Sequence, residues 1–369
     1  MTAAEFILNV TNKNLICSFQ DGKFQSGHNG PYDDPETPVR NSAHWLITLA
    51  KCYELDEKEI YLDHIQKLAE YLCSPEARPH GFSFFHRKKG KKDRCNGLIG
   101  QAWTFEALAK ASEILNDPKY INLAREVFCL HTYDKNNTLW HKLEIDGTKL
   151  ALDPTFNHQL WFAACSALLD KHDQYGIYPK IRHFLDSLSL NLDVLKTGLI
   201  YHPLPLHRLK NISLRKKITR SLKKCIKPLS EELIYKSIGY HAFNMYGFAL
   251  LKGVFPDHSF WQSPVFQVCY DYMNSQQYIE QLVDNRFGYP YNPCGFENAF
   301  TLSVFQDDNT SREKIAWWVK QQINKTYNNK TKMFDKNTAD PATLTARIYE
   351  LTRLPDEVLT NLHINGYNE

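Results

Sequence analysis

A chain of 369 residues has room for one large domain or two of medium size. With 43% hydrophobic residues, 23% charged residues and a net charge of +3, it reads as globular rather than disordered or fibrous. No run of about 18 apolar residues is present, which argues against a membrane-spanning helix, and residues 1–9 lack the basic start and long apolar core of a signal peptide. Nine cysteines stand singly, an odd total with no Cys-x-x-Cys pair, which points to reduced thiols and a cytoplasmic protein rather than a disulfide framework.

In chain order, residues 1–25 read as a short helix or strand followed by a loop, and residues 27–38 as a turn-rich polar loop containing Asp33 and Asp34. The first strongly apolar helix follows Arg40-Asn41-Ser-Ala-His44-Trp45. A second follows Asn96-Gly97 and contains Trp103, and a third runs from Asp153-Pro154 through Asn157, His158 and Trp161. The fourth follows Tyr240-His241-Ala-Phe-Asn244, the fifth follows Tyr289-Pro-Tyr291 and Glu297, and the sixth follows Asp340-Pro341. Apolar or small residues cover every face of these segments, so they are expected to be buried helices. Their polar starts supply caps and first-turn groups.

Between them lie segments with a single apolar stripe, at about 57–74, 119–131, 177–191, 260–274, 311–324 and 355–363. Six buried helices alternating with six one-faced helices predict an all-α (α/α)6 toroid, one domain over residues 1–369. Alternating stretches at 81–87 and 139–152, the second with an Asp146-Gly147 turn, are expected as β-hairpins on the rim. The outlier is 206–227, with nine Lys and Arg and no acidic residue, so that without it the chain would carry −6 rather than +3. It reads as a basic amphipathic insertion (about 205–230) suited to peripheral contact with an anionic membrane, and lacks the interleaved aromatics of a nucleic-acid surface, so no nucleic acid is expected.

In a toroid the inner-helix starts converge on one depression, where dipole ends and unpaired N–H groups favour anions and hydroxyls. Arg40, Asn41, His44, Trp45, Asn96, Trp103, Asn157, Trp161, Tyr240, Tyr289, Tyr291 and Asp340 are the expected lining of a sugar-binding cup, aromatic faces for pyranose rings and polar groups for hydroxyls. For hydrolysis, which needs two carboxyl groups about 5–9.5 Å apart, Glu297 and Asp153 are the expected pair, with Asp340, Asp33 and Asp34 next. For epimerisation or elimination, which needs a base beside a carbonyl or carboxylate, His158 and His241 are the expected bases, with Tyr240 and Arg40 in support. Cys95 and Cys294 stand alone, without a paired Cys-His signature, so neither metal nor cofactor is expected.

The blocks Arg40-Asn-Ser-Ala-His-Trp, Asn96-Gly-Leu-Ile-Gly-Gln-Ala-Trp, Thr155-Phe-Asn-His-Gln-Leu-Trp-Phe and Gly288-Tyr-Pro-Tyr-Asn-Pro resemble the six-hairpin glycosidase-like superfamily. That superfamily holds toroidal glycoside hydrolases, unsaturated uronyl hydrolases and N-acylglucosamine 2-epimerases. The blocks are also similar to uncharacterised members associated with bacterial surface-polysaccharide synthesis. The resemblance spans nearly the whole chain and implies a carbohydrate-active protein with an oligo- or polysaccharide substrate. A glycoside hydrolase is the leading expectation, with a sugar epimerase or uronate lyase, and a non-catalytic glycan-binding component, as alternatives.

Overall fold

The computed structural model describes residues 1–88, 92–170, 174–209, 230–306 and 309–364. The basic segment expected at 206–227 lies outside the described residues from 210 onward. Within it, Arg208 is described; its guanidinium bonds the Leu192 carbonyl at 3.1 Å and Asp193 at 3.3 Å.

Helix α1 (Ala3–Cys17) opens on a capping box, Thr2 accepting from the Glu5 amide at 3.2 Å while the Glu5 carboxylate accepts from the Thr2 amide at 2.7 Å. A minimal hairpin follows, β1 (Phe19–Gln20) and β2 (Lys23–Phe24), joined by Asp21-Gly22, both at positive φ. Six helices then make the inner ring: α2 (Val39–Asp56), α4 (Gly97–Ile114), α6 (Phe156–Ser166), α9 (Glu231–Val254), α12 (Cys294–Phe305) and α14 (Pro341–Ala346), the last continued by a 3-10 turn, Arg347–Arg353. Residues 39–50 of α2, 97–108 of α4 and 237–251 of α9 are buried without interruption, the property expected of helices walled on every side.

The outer layer is α1, α3 (Glu59–Cys73), α5 (Pro118–Leu130), α7 (Tyr178–Asp186) with the short α8 (Leu188–Asn191), α10 (Pro264–Met273) with α11 (Gln276–Leu282), α13 (Asn309–Thr326) and α15 (Asp356–Asn361). These helices bury one stripe. In α3 that stripe is Tyr61, Ile65, Leu68, Ala69 and Leu72, while Ile60 on the same helix is 49% exposed. The ring closes on itself: the Ala3 amide bonds the Leu362 carbonyl at 2.8 Å and the Ile364 amide bonds the Met1 carbonyl at 2.9 Å. The alternation of all-buried and one-faced helices is the (α/α)6 toroid that the sequence predicts. No helix among the described residues is long and apolar enough to cross a membrane.

Three local expectations are corrected. Helix α9 begins at Glu231, so Tyr240, His241 and Asn244 sit in its middle instead of at its start. The apolar stripe at 177–191 is broken at Ser187 into α7 and α8. Residues 81–87 form no strand, only an isolated bridge between Glu36 and Arg87. The hairpin at 139–152 does form, as β4 (Leu139–Leu143) and β5 (Lys149–Leu152), with β3 (Tyr133–Asp134) added on the far side of β4. Removing the cap hydroxyl with Thr2→Ala is expected to lower unfolding stability by about 1 kcal/mol, read as a reduced urea midpoint with an unchanged slope.

Candidate active site

The starts of α2, α4 and α6, the middle of α9, the loops at 29–32 and 291–292 and the turn bearing Arg347 surround a cavity of about 220 Å³. Of the expected lining residues, Arg40, Asn96, Trp103, Asn157, His158, Tyr240 and Tyr291 are in its wall. The sequence reading missed Tyr32, Arg87, Lys92, His202, Lys236, Phe243, Asn292 and Arg347, which complete the chemistry of the wall.

The remaining candidates lie elsewhere. Asn41 donates to the Gln25 carbonyl at 2.8 Å, and Trp45 stacks on Phe24 with centroids 4.8 Å apart. His44 lies behind the wall, stacked on Tyr349 at 4.3 Å with Nε2 3.4 Å from Arg40 Nε. Trp161 is sandwiched between Phe243 and Tyr246 and spends its N–H on the Phe243 carbonyl at 3.0 Å, so it backs the wall and offers no face to a sugar. Tyr289 is buried near Trp318. His241 faces the outer layer, its Nδ1 accepting from the Ile200 amide at 3.3 Å and its Nε2 3.0 Å from the Cys269 carbonyl, and burial lowers it to about 4.

Asp340 is structural at one remove. It caps α14 through the Thr343 amide at 3.1 Å, and its other oxygen holds the amides of His28 at 2.8 Å and Gly30 at 3.1 Å. That grip fixes the loop that brings Asn29 and Tyr32 to the cavity. Gly30, at φ +56°, has no room for a Cβ, which would sit 2.2 Å from the Tyr291 ring. Asn29 then accepts from Tyr291 at 2.8 Å and from Arg40 at 3.1 Å, and the Tyr32 and Tyr240 hydroxyls meet at 2.8 Å.

Glu297 is not in the wall. It is fully buried behind Arg347, whose Nη2 contacts Glu297 at 2.8 Å and Glu350 at 2.6 Å. Burial raises both carboxyls, Glu350 to about 7; the charge of Glu350 raises Glu297 further, and that of Glu106 raises Glu350. Arg347 also bonds the Tyr291 carbonyl at 3.0 Å and Asn292 at 2.7 Å, and its guanidinium lies 5.1 Å from the Phe243 ring.

Among the described residues, five cations therefore line the cavity, Arg40, Arg87, Lys92, Lys236 and Arg347, and no carboxylate shares the wall. Their counter-charges sit one layer back. Arg40 pairs with buried Glu36 at 3.2 Å, Lys92 with Asp34 at 2.7 Å, and Arg87 with Asp93 at 3.4 Å. Arg40 stacks on Trp103 at 4.2 Å, and its buried Nη2 has no hydrogen-bond partner among the described residues. Lys236 makes no ion pair among the described residues and lies 4.8 Å from the Tyr32 ring centroid. Burial, with the charge of Lys92, lowers it to about 8.

Two imidazoles complete the wall. Asp153 Oδ2 takes the Leu98 amide at 3.1 Å and His158 Nδ1 at 2.8 Å. Burial would raise Asp153, but His158, the Leu98 amide and Lys142 outweigh it and hold the carboxyl below its ordinary value. An ionised carboxylate on Nδ1 places the imidazole proton there and leaves Nε2 with its lone pair free. His202 is the counterpart. Its Nδ1 lies 3.5 Å from Asn157 Nδ2, and burial, followed by Lys236 and His158, lowers it well below the ordinary imidazole value, so it is neutral.

The pair depends on Gly97. At φ +59°, a Cβ there would lie 2.4 Å from Asp153 Oδ2 and 2.9 Å from His158 Nδ1. Gly97→Ala is expected to cost about 1–3 kcal/mol of stability and to displace His158. A change in the His158 imidazole chemical shifts, followed by NMR, would report the displacement, and unchanged signals would show that Gly97 does not hold the pair.

Among the described residues no group of three His, Cys, Asp or Glu side chains is placed to hold a metal ion. No protein-family model matches the chain. Its backbone superimposes on cellobiose 2-epimerase from Bacillus thermoamylovorans B4167 with a TM-score of 0.65, at 10% identity over 94% of this chain and 98% of that one. It also superimposes on an inactive α-1,6-mannanase variant from Salegentibacter sp. HEL1_6, in complex with an α-1,6-linked mannotetraose, at 0.62, with 13% identity over 96% and 98%. These likenesses show the fold, an (α/α)6 toroid that the chain shares with both of those proteins. By sequence, the chain is 40% identical over 346 residues to archaeal glycosylation protein Q of Haloferax volcanii, covering 91% of this chain and 93% of the relative. With that identity over nearly the full length of both, the chain belongs to the archaeal glycosylation protein Q family.

Proposed function

We propose that the protein moves a proton on an acidic sugar, at the carbon next to the carboxylate, and so epimerises or isomerises that sugar for glycan assembly. The observation that carries this reading is the wall itself: an Asp-oriented imidazole and five cations, with no carboxylate among the described residues of the wall. His158 Nε2 is the base for the C–H proton. The electron pair it leaves behind passes to the sugar carboxylate, where the nearby cations stabilise the added charge, the strongest kind of contribution such a site makes. Return of a proton to the other face of the same carbon gives the epimer. Lys236, lowered to about 8, has a proton to give near neutrality, and neutral His202 is placed to hydrogen-bond the sugar.

Hydrolysis needs a protonated carboxyl facing the glycosidic oxygen and a second carboxyl across from it. The carboxyls that burial raises, Glu36, Glu106, Glu297 and Glu350, are outside the cavity wall. Asp153 is held low and occupied by His158. The relative's name, a glycosylation protein, supports an origin for the acidic sugar in glycan building.

Incubation with uronic acids and their methyl glycosides in D2O is expected to place deuterium on the carbon beside the carboxylate, seen by proton NMR, and His158→Ala is expected to abolish it. Release of new reducing ends without exchange would instead assign hydrolysis, and a product absorbing in the near ultraviolet would assign elimination. A separate test uses pH. Lys236 gains its charge only below about 8, so the affinity for methyl glucuronide is expected to fall as pH rises through that value. Lys236→Met should bind more weakly at pH 7 and show no such fall; a wild-type affinity that is flat from pH 7 to 9 would take Lys236 out of anion binding.

A further inference from the structure

The cavity does not end at His158. An open groove of about 630 Å³ continues from it across the β4–β5 hairpin, and the two share Arg87, Lys92, Thr155 and His158 as wall. The cavity, at about 220 Å³, is below the ~300 Å³ low end of pockets that enclose a drug-sized ligand, so it holds one sugar ring.

The two spaces differ in charge. Among the described residues the charged groups of the cavity wall are all cations, whereas the groove alternates Arg87, Lys92 and Lys142 with Asp93, Glu144 and Asp153. The groove charges are already satisfied. Lys142 bonds Asp93 at 2.7 Å, Lys92 bonds Asp34 at 2.7 Å, and Glu144 accepts from the Arg94 amide at 3.1 Å. Fixed, paired charges offer hydroxyl groups both donors and acceptors without attracting a net charge. Leu150, Ala151 and Pro154 give the same groove an apolar strip for a ring face.

Resting on the reading of the cavity as an acidic-sugar site, we infer that the groove is a second subsite, for a neutral sugar linked through the anomeric oxygen of the acidic one. Proton transfer beside the carboxylate leaves the anomeric carbon untouched. A linked sugar is therefore compatible with that chemistry, whereas a reaction beside a free aldehyde would exclude it. The substrate is then at least a disaccharide with a terminal acidic residue, and a preceding glycosyl-transfer reaction must supply it.

The test is calorimetric binding of methyl glucuronide and of a glucuronyl-glucose disaccharide to the full-length protein. The disaccharide is expected to bind about tenfold more tightly, roughly 1.4 kcal/mol. Ala151→Trp, which fills the groove from an exposed strand position, is expected to remove that advantage while leaving methyl glucuronide within about twofold. Leu150→Trp serves as the second variant should Ala151→Trp fail to fold. Equal affinity for the two sugars, or an advantage that survives a folded Trp variant, overturns the subsite while leaving the cavity reading intact. Absence of binding by both sugars overturns the acidic-sugar reading, and the subsite with it.

Discussion

The buried triad of Arg347, Glu297 and Glu350 joins the last turn of the inner ring to its neighbour α12 and sets the charge of the cavity floor. A guanidinium without partners at this depth would cost several kcal/mol, and removing one partner of such a pair typically costs about 3–5 kcal/mol. Both carboxylates converge on one nitrogen, Nη2, at 2.8 and 2.6 Å, while Nη1 is left for the Tyr291 carbonyl and Asn292. One guanidinium thus fixes α12, the loop before it and the closing 3-10 turn together. Two carboxyls against one cation would overcompensate it, and their raised affinity for protons is the physical answer: shared retention of a proton lets the floor keep its attraction for anions.

The same logic runs around the wall. Among the described residues every wall cation except Lys236 is matched by an acid outside the cavity wall, as Glu36 is to Arg40, Asp34 to Lys92 and Asp93 to Arg87. The apo protein is thereby spared the self-repulsion of five like charges, and the face toward the cavity remains positive. Asp93 illustrates the strength of the pairing. Burial would raise it, but Lys142, the Gly97 amide and Arg87 outweigh burial and hold it at about 2.

Much of the fold was legible in the sequence because helix periodicity is a local signal, and the contrast between segments apolar on all faces and segments with one stripe maps directly onto inner and outer layers. The site was most legible where a residue sits within a turn of a recognisable helix start, as Arg40, Asn96, Asn157 and His158 do, or where an aromatic stands out in an inner helix, as Trp103 and Tyr240 do. Lys236 was missed because α9 begins nine residues before Tyr240, where its apolar character is weaker. Arg347 is a charge inside an otherwise apolar run, and that anomaly was the available signal. His202 was beyond local reasoning, since it reaches the cavity through a loop whose Thr155–Pro203 bridge is a tertiary contact. Glu297 shows the converse error: an acid in the first turn of an inner helix faces whichever partner the ring supplies, and here that partner is Arg347.

The hydrogen bonds between residues 1–3 and 362–364 carry a consequence for assembly. Contacts that join residues some 360 positions apart form only after the intervening chain has been ordered, since loop-closure entropy must be met before they give anything back. The turn bearing Arg347 lies just before that seam, and it packs against α2 at the other end of the chain. The floor of the cavity is thus a product of ring closure, and a partly wound chain, however helical, has walls without a floor. Competence to bind an anion should therefore arrive in a single late step during folding, together with the joining of the two ends.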